Sequence, residues 1–516
     1  MTAIRSPRGL ALTAMILAVA MTFIDQTIVS VAAPRIQADL GLTSSGLQWA
    51  VNSYLLAMAA LFALGGRLAD TAGRRRMVTI GILVFAASSA LCGLTPTGPL
   101  AEGWLIACRA AQGAGGALMY PAALAIVVNA YEVTRRGRAL ALFFGFAGAL
   151  TAVGPAVGGY LAEWTWRSIF WINVPVAIVA LVLVTRARPA NERRSAPLDV
   201  RGLLLITAGA GLSVFALQQA TNWGWTDDRT AGALAIAAAL LAAFVVVERR
   251  TAAPLMELAA FADRSFRVEN LVLFAAMIVF VPVFFFASEY GQVALGQTPS
   301  RASLMLLYFF AGFVVAAQFG GRMLDRIGAR RPVVLGAVLA AVGLHLWAAH
   351  VASLSIGSQV AFIVLAGAGM GLLLGQANTD ALNHAPADAY GEATGITQTV
   401  RNFGASLGLA ALGTLLVTRF QAHLSSSLAT RGVPSERAHA IAAGIAQHRS
   451  GAVSAVPPFV RADFAAATGS VLMAMSWVMA ATAVVAYVGL ARRSRHTAAL
   501  PGVQREVRQG LLIGGR

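Results

Sequence analysis

Apolar stretches of about 20 residues alternate with short polar connections along most of the chain. A helix of that length crosses the hydrocarbon layer of a bilayer, and backbone groups in lipid must find their hydrogen bonds within the segment. The pattern therefore predicts an all-α integral membrane protein with fourteen transmembrane helices. The predicted spans are 10–33, 47–67, 77–95, 103–127, 139–161, 168–186, 202–220, 231–247, 268–290, 302–321, 332–350, 357–379, 392–417 and 464–490.

The first apolar stretch has two possible interpretations. Arg5 and Arg8 precede it, as basic residues precede the apolar part of a signal peptide. However, Asp25 and Gln26 interrupt the stretch, which then continues to Ala33 and is long enough to span a membrane. We therefore expect a first transmembrane helix here, with a cleaved signal as the alternative.

The chain has a formal net charge of +17, and all of its basic residues are arginine. Such a charge can indicate nucleic-acid binding, but the arginines cluster in alternate connections between spans, which indicates orientation in a membrane instead. These connections are 67–76, 128–138, 186–201, 248–267 and 322–331. We expect a multi-pass protein of the inner (plasma) membrane with both termini cytoplasmic and no nucleic-acid partner.

One charged turn occurs twice, as G-G-R-x-x-D-x-x-G-x-R-R at 65–76 and at 320–331. The first copy follows the second predicted span and the second copy follows the tenth. Two six-helix repeats would put the second copy after the eighth span, so a two-helix hairpin is inserted between the halves. The expected organisation is a six-helix bundle at 1–187, the hairpin with its linkers at 188–267, a second bundle at 268–490 with an external, partly helical loop at 418–463, and a cytoplasmic tail at 491–516.

Three further motifs accompany the repeated turn: R-x-x-Q-G at 109–113, G-P-x-x-G-G at 154–159 and W-R-x-I-F-x-I-N-x-P at 166–175. Together they resemble the 14-helix drug:proton antiporter branch of the major facilitator superfamily, and the resemblance covers about residues 10–490. It implies proton-coupled export of lipophilic drugs or drug-like metabolites by alternating access, with no enzymatic activity and no cofactor. The implied partners are the substrate, protons and membrane lipids, and the implied state is a monomer.

Asp25 and Arg109 are ionisable residues inside predicted spans, where charges are expensive and usually functional. They lie about 12 Å and about 9 Å inside the outer ends of their helices, so pairing is geometrically possible. The resemblance implies that Arg109 takes part in proton coupling and that Asp25 binds a proton or a cationic substrate. A purely structural ion pair is the alternative.

The repeated turn places Asp70 and Asp325 at the carboxyl ends of helices, where a negative charge is unfavourable without a cation or another helix's amino end. The resemblance implies a conformational latch, with Asp70 facing the start of span 392–417 and Asp325 facing the start of span 139–161. A basic loop that merely sets orientation is the alternative. The other latch residues are Gly66, Gly73, Arg74, Arg75, Gly321 and Gly328.

Two other groups of residues are candidates for function. Gly154, Gly158 and Gly159 permit close helix approach and Pro155 bends its helix, a pattern that the resemblance links to exporters; generic packing is the alternative. Glu289 stands beside aromatic residues and either holds a lipophilic cation or lies at the outer surface.

Two rival functions follow from the same pattern. One is a proton-coupled or facilitative transporter of a specific metabolite, and the other is a non-transporting membrane receptor. The cysteine and histidine spacings predict no metal site, and a phosphate-binding G-x-x-x-x-G-K-[ST] loop is impossible without lysine.

Overall fold

A computed structural model of the protein describes residues 7–131, 133–189, 199–252, 254–256, 258–384, 390–447 and 457–491. Nearly all of these residues are helical, and they contain no β-strand. The long helices are α1 (Pro7–Leu40), α2 (Ser44–Ala72), α3 (Arg74–Gly93), α4 (Ala101–Ala130), α5 (Val133–Trp164), α6 (Ser168–Trp171 and Asn173–Ala187), α7 (Val200–Trp223), α8 (Asp228–Arg250), α9 (Arg264–Glu289), α10 (Pro299–Ile327), α11 (Arg330–His350), α12 (Val360–Asn383), α13 (Tyr390–Ala429) and α14 (Pro458–Gly489).

Thirteen helices of the described residues are long and apolar enough to cross a membrane. They are all of the long helices except α5, which contains the predicted span 139–161 and is itself 32 residues long. The prediction of an all-α membrane protein is therefore confirmed, with one long helix for each of the fourteen predicted spans.

The two halves of the chain pack their helices in the same order. In the first half α4 packs against α2 and α3, and α1 packs against α5 and α6. In the second half α12 packs against α10 and α11, and α9 packs against α13 and α14. Each contact thus has a counterpart eight helices later, as a duplicated six-helix bundle with an inserted pair requires. The inserted hairpin consists of α7 and α8, and α7 packs against both α2 and α13.

The repeated turn has the same backbone form in both halves. Gly73 ends α2 with φ of 105°, and Gly328 ends α10 with φ of 78°. Residues with a side chain rarely adopt such values, so each turn requires glycine at this position. We call the side of the molecule that carries these two turns the basic side.

Side-chain hydrogen bonds join the two bundles on the side opposite the basic side. Gln292 donates to the carbonyl oxygen of Val31 at 2.8 Å. Ser300, at the start of α10, donates to Glu163 at the end of α5. Nearest the middle, Ser406 of α13 donates to Asn52 of α2 at 2.5 Å. These bonds hold the bundles together across the face at which α2 and α10 begin.

Two predicted elements differ from the structure. The stretch 418–463, expected to be an external and partly helical loop, is mostly helix in its described residues: α13 continues to Ala429, a separate helix covers Ser435–Gln447, and α14 already begins at Pro458. This separate helix is held by Ser44, which donates to the carbonyl oxygen of Ala446 at 2.8 Å. The predicted span 168–186 is interrupted at Ile172.

Candidate functional site

Asp25 and Arg109 form an ion pair in the interior of the first bundle. Nη1 of Arg109 lies 2.5 Å from Oδ2 of Asp25. Asp25 is 0% exposed and Arg109 is 1% exposed. A buried ion pair persists only when further hydrogen bonds satisfy both charges. The predicted pairing of α1 with α4 is thus present.

Gln112 completes the coordination of the Asp25 carboxylate. It lies one turn after Arg109 on α4, donates to Oδ1 of Asp25 at 2.9 Å, and accepts from Nη1 of Arg109 at 2.7 Å. Arg109 also donates from Nε to the carbonyl oxygen of Ala50 at 3.2 Å. Its guanidinium lies 4.4 Å from the ring centroid of Tyr54, a cation–π contact. Both oxygens of Asp25 therefore accept bonds, which is the arrangement that suits an ionised carboxylate.

A second layer of polar residues connects this pair to α6. Gln112 donates from Nε2 to Ser89 of α3 at 3.2 Å, and Asn173 of α6 donates to the same hydroxyl at 3.0 Å. Ser89 in turn donates to the carbonyl oxygen of Phe170 at 2.8 Å. Phe170 and Asn173 belong to the motif at 166–175, for which the sequence alone indicates no chemistry. In the folded chain, Phe170 and Asn173 of this motif bond to Ser89, which bonds to Gln112, the residue that contacts Asp25.

Arg167 of the same motif has a separate structural task. It donates from Nη1 to the carbonyl oxygens of Gly93 and Thr95, at 2.9 and 2.8 Å, where α3 ends. A cation at the carboxyl end of a helix satisfies its free carbonyl groups and complements its dipole. Arg167 thereby ties the start of α6 to the end of α3.

The glycines of α5 allow it to lie directly against α1 beside Asp25. A Cβ on Gly158 would come within 2.5 Å of Cγ1 of Ile28, and a Cβ on Gly154 would collide with Oγ1 of Thr27. Gly159 faces the other bundle instead, where a Cβ would lie 2.8 Å from Cα of Ser300. The motif at 154–159 therefore sets two helix contacts, one within a bundle and one between bundles.

The two aspartates of the repeated turns lie far from this network. Asp70 accepts a bond from Arg74 of its own turn at 3.1 Å, and the Asp70 side chain is 46% exposed. Asp325 is exposed. Side chains at 132–141 and at 390–392, where the two proposed partner helices begin, lie outside the described residues.

Glu289 lies in the interior of the second bundle. It is 3% exposed, at the end of α9, so the alternative that places it at the outer surface is wrong. Phe286, one turn earlier on α9, and its neighbour Phe285 are also buried, with ring centroids 5.2 Å apart. A carboxylate in these surroundings is consistent with the predicted aromatic neighbourhood.

The second bundle also contains an acid pair that the sequence pattern does not indicate. Glu269 of α9 is 0% exposed and interacts directly with Asp380 of α12, which is 6% exposed. Among the described residues, neither oxygen of Glu269 has a hydrogen-bond donor. His384 lies 3.8 Å from Asp380. Positions 269 and 380 fall at the edges of predicted spans, where a charge is unremarkable, and only the packing of α9 against α12 reveals the pair.

The described residues contain no group of three or more His, Cys, Asp or Glu side chains arranged to hold a metal ion. Two helical bundles with a buried ion pair in one of them are typical of a multi-span membrane transporter. The family model of the Major Facilitator Superfamily matches residues 15–409. The chain belongs to the major facilitator superfamily.

Curated relatives support this assignment, and a solved structure has the same fold. The chain is 34% identical over 411 residues to the tetracenomycin C resistance and export protein of Streptomyces glaucescens, covering 79% of this chain and 76% of that one. It is 34% identical over 419 residues to the multidrug resistance protein Stp of Mycobacterium tuberculosis, covering 80% and 76%. The fold matches an inward-facing bacterial homologue of the lysosomal transporter Spinster with a TM-score of 0.63, at 16% identity and covering 94% and 97% of the two chains.

Proposed function

We propose that the protein is a proton-coupled antiporter that exports lipophilic drugs or drug-like metabolites across the inner (plasma) membrane. The relatives named for export and for multidrug resistance support the class of substrate. The observation that carries proton coupling is the buried Asp25 carboxylate, which accepts bonds from Arg109 and Gln112. An intramembrane acid with specific partners is where a proton can be taken up and released.

Protonation of Asp25 would change this network in a defined way. A neutral carboxyl group has no electrostatic attraction for Arg109. One of its oxygens then carries a proton, which needs a hydrogen-bond acceptor in place of the donor that this oxygen now meets. The buried guanidinium would then lack a counter-charge, so α4 would have to move relative to α1. Substrate binding between the bundles and the protonation of Asp25 would thus favour different arrangements of the same helices.

The conformation described here fits one step of that cycle. The contacts of Val31, Glu163 and Asn52 join the bundles opposite the basic side. With the basic side cytoplasmic, as the arginine-rich turns favour, this is the state with a deprotonated Asp25 that exchanges substrate with the cytoplasm. Proton uptake from the outside would occur in the alternative state and release the substrate there.

The repeated turns would stabilise that alternative state. Asp70 and Asp325 would then meet the amino ends of α13 and α5, where a helix dipole favours negative charge. A latch made in one state biases the equilibrium between states without touching substrate. Glu289, as a second buried acid, would take up a proton together with Asp25 when the substrate is released. The monomeric state, the cytoplasmic termini and the domain boundaries at 187, 267 and 490 stay predictions.

Transport in everted membrane vesicles tests the proposed function. Vesicles from cells with and without the gene are energised, and a pH-sensitive dye reports proton release when members of a lipophilic drug panel are added. We expect drug-dependent proton release and protonophore-sensitive drug accumulation only with the gene. Drug or metabolite movement in the opposite direction would favour a nutrient transporter, and no substrate-dependent flux would favour a receptor.

A further inference from the structure

Arg401 of α13 is a charged residue of the second bundle whose guanidinium is incompletely satisfied. Its Nη1 donates to Gln398, one turn earlier, at 2.8 Å. Its Nε is buried and has no hydrogen-bond partner, and no carboxylate of the described residues forms an ion pair with it. Arg109, by contrast, is paired with Asp25. Because an unpaired cation at this depth is expensive, Arg401 is suited to an anion that is supplied from outside the chain.

Thr397 presents a second unsatisfied polar atom beside Arg401. It is 1% exposed, and its Oγ1 has no hydrogen-bond partner. Residues four apart on a helix lie on the same face, so Thr397 and Arg401 are neighbours on α13. The hydroxyl and the guanidinium can therefore donate to the same oxygen group. Ser406, which closes the contact with Asn52, lies about 7.5 Å further along α13, away from the basic side.

An aromatic cluster of the first bundle lies opposite Arg401. Its centre is Tyr120 of α4, a helix that α13 contacts, and the neutral phenol of Tyr120 lies near the guanidinium of Arg401. The ring centroid of Tyr120 lies 5.3 Å from that of Phe62 and 5.8 Å from that of Phe23. Phe23 stands two positions before Asp25 on α1. A flat apolar ring system bound here would contact the aromatic cluster on one side and Arg401 on the other.

We propose that Arg401 and Thr397 bind an anionic oxygen of the substrate, while the Tyr120 cluster packs against the aromatic ring system that carries it. This inference rests on the proposed export function and names the substrate class as aromatic acids. Arginine suits this task because its planar fork of donors matches a carboxylate. The site also lies between the two bundles, so a bound acid contacts both of them.

Binding of matched probe pairs to the purified full-length protein in lipid nanodiscs tests the inference. The probes are dansylglycine and its neutral amide, and 2-anthracenecarboxylic acid and its neutral amide. We expect the wild-type protein to bind each acid about tenfold more tightly than its amide, a factor that one charge-assisted bond supplies. Arg401→Gln should remove this preference while changing the affinity for the amides less than about twofold. Arg401→Lys should retain part of the preference.

Arg419→Gln is the matched control, because Arg419 is an exposed arginine of the same helix. It should leave both affinities unchanged. If no acid binds the wild-type protein better than its amide, or if Arg401→Gln keeps the preference, the inference is wrong. If Arg401→Gln does not fold, the inference is still tested by the ratio of the affinities for acid and amide, measured in the wild-type protein and in Arg401→Lys.

The outcome separates this inference from the proposed function. Proton-driven transport of the neutral amide in everted vesicles without any preference for acids would contradict the anion site and leave export intact. A clear preference for acids in binding, without proton-driven transport of any probe, would contradict the export function and leave the anion site intact.

Discussion

Asn173 donates a hydrogen bond to the hydroxyl of Ser89 at 3.0 Å and thereby joins α6 to the network around Asp25. Ser89 also receives a bond from Gln112, which in turn contacts the Asp25 carboxylate. The position of Asp25 therefore depends on a residue of α6 that it does not touch. The energetic consequences of this network can be measured one residue at a time.

Replacing Asn173 with Ala should destabilise the protein by about 1–2 kcal/mol, because Asn173 is 3% exposed and its loss leaves the Ser89 hydroxyl with one donor fewer. The melting temperature of the purified protein in detergent measures the effect. Asn222→Ala is the control, since Asn222 is exposed and donates to Gln219, a neighbour on the same helix α7. Equal melting temperatures for the two variants would contradict the role assigned to Asn173.

Replacing Gly158 with Ala should separate α5 from α1, because its Cβ would lie 2.5 Å from Cγ1 of Ile28. We expect a loss of about 1–3 kcal/mol in stability, the usual consequence of overpacking, and reduced transport. Gly232→Ala on α8 is the matched control, since a Cβ there meets nothing within 4 Å. That substitution should be neutral or slightly stabilising, as Ala favours helix more than Gly does. A Gly158 variant as stable as the Gly232 variant would show that α5 does not need the close approach.

Replacing Glu269 with Gln should leave the protein as stable or make it more stable. Glu269 is buried against another carboxyl group, and an amide has nearly the same shape, carries no charge and can donate to Asp380. Thermal unfolding of Glu269→Gln, compared with that of the wild-type protein and of Asp380→Asn, measures this change in stability. Strong destabilisation of Glu269→Gln would mean that the ionised form of Glu269 holds the fold, contrary to its lack of donors among the described residues.

Replacing Asp325 with Asn should slow transport without changing the stability of the conformation described here. Asp325 is exposed in this conformation, and exposed charges contribute little to stability. If the latch forms in the alternative state, the substitution weakens that state alone and shifts the equilibrium. The rate of transport and the melting temperature should be measured on the same preparation. An unchanged rate of transport would support the simpler interpretation, in which the turn is a basic loop that sets orientation.

The fold was predictable because membrane spans leave a strong signal in hydropathy and because the repeated turn reveals the duplication. The ion pair of Asp25 and Arg109 was predictable for a related reason, since charges inside spans are few and usually pair with one another. The packing partners were not predictable: nothing in the local sequence of Ser89 or Asn173 indicates that they meet. The acid pair of Glu269 and Asp380 was hidden for the same reason, because its members lie 111 positions apart on different helices.

The extent of helix within 418–463 could not be predicted for a different reason. Its composition is polar enough to favour a loop, yet α13 continues to Ala429 and a further helix follows. Contacts with the rest of the protein, such as the bond from Ser44 to Ala446, stabilise helices that local sequence favours only weakly.

The most direct test of the central claim is proton coupling in Asp25→Asn. The wild-type protein, Asp25→Asn and the control Asp39→Asn, which changes an exposed acid of the same helix, are reconstituted in proteoliposomes with a substrate found in the vesicle screen. Substrate-dependent proton flux and substrate exchange without a gradient are then recorded. We predict that Asp25→Asn loses proton flux by at least about a hundredfold, as expected for a group essential to proton transfer, but retains exchange. Asp39→Asn should behave as the wild-type protein does. Undiminished proton-coupled export by Asp25→Asn would contradict the central claim.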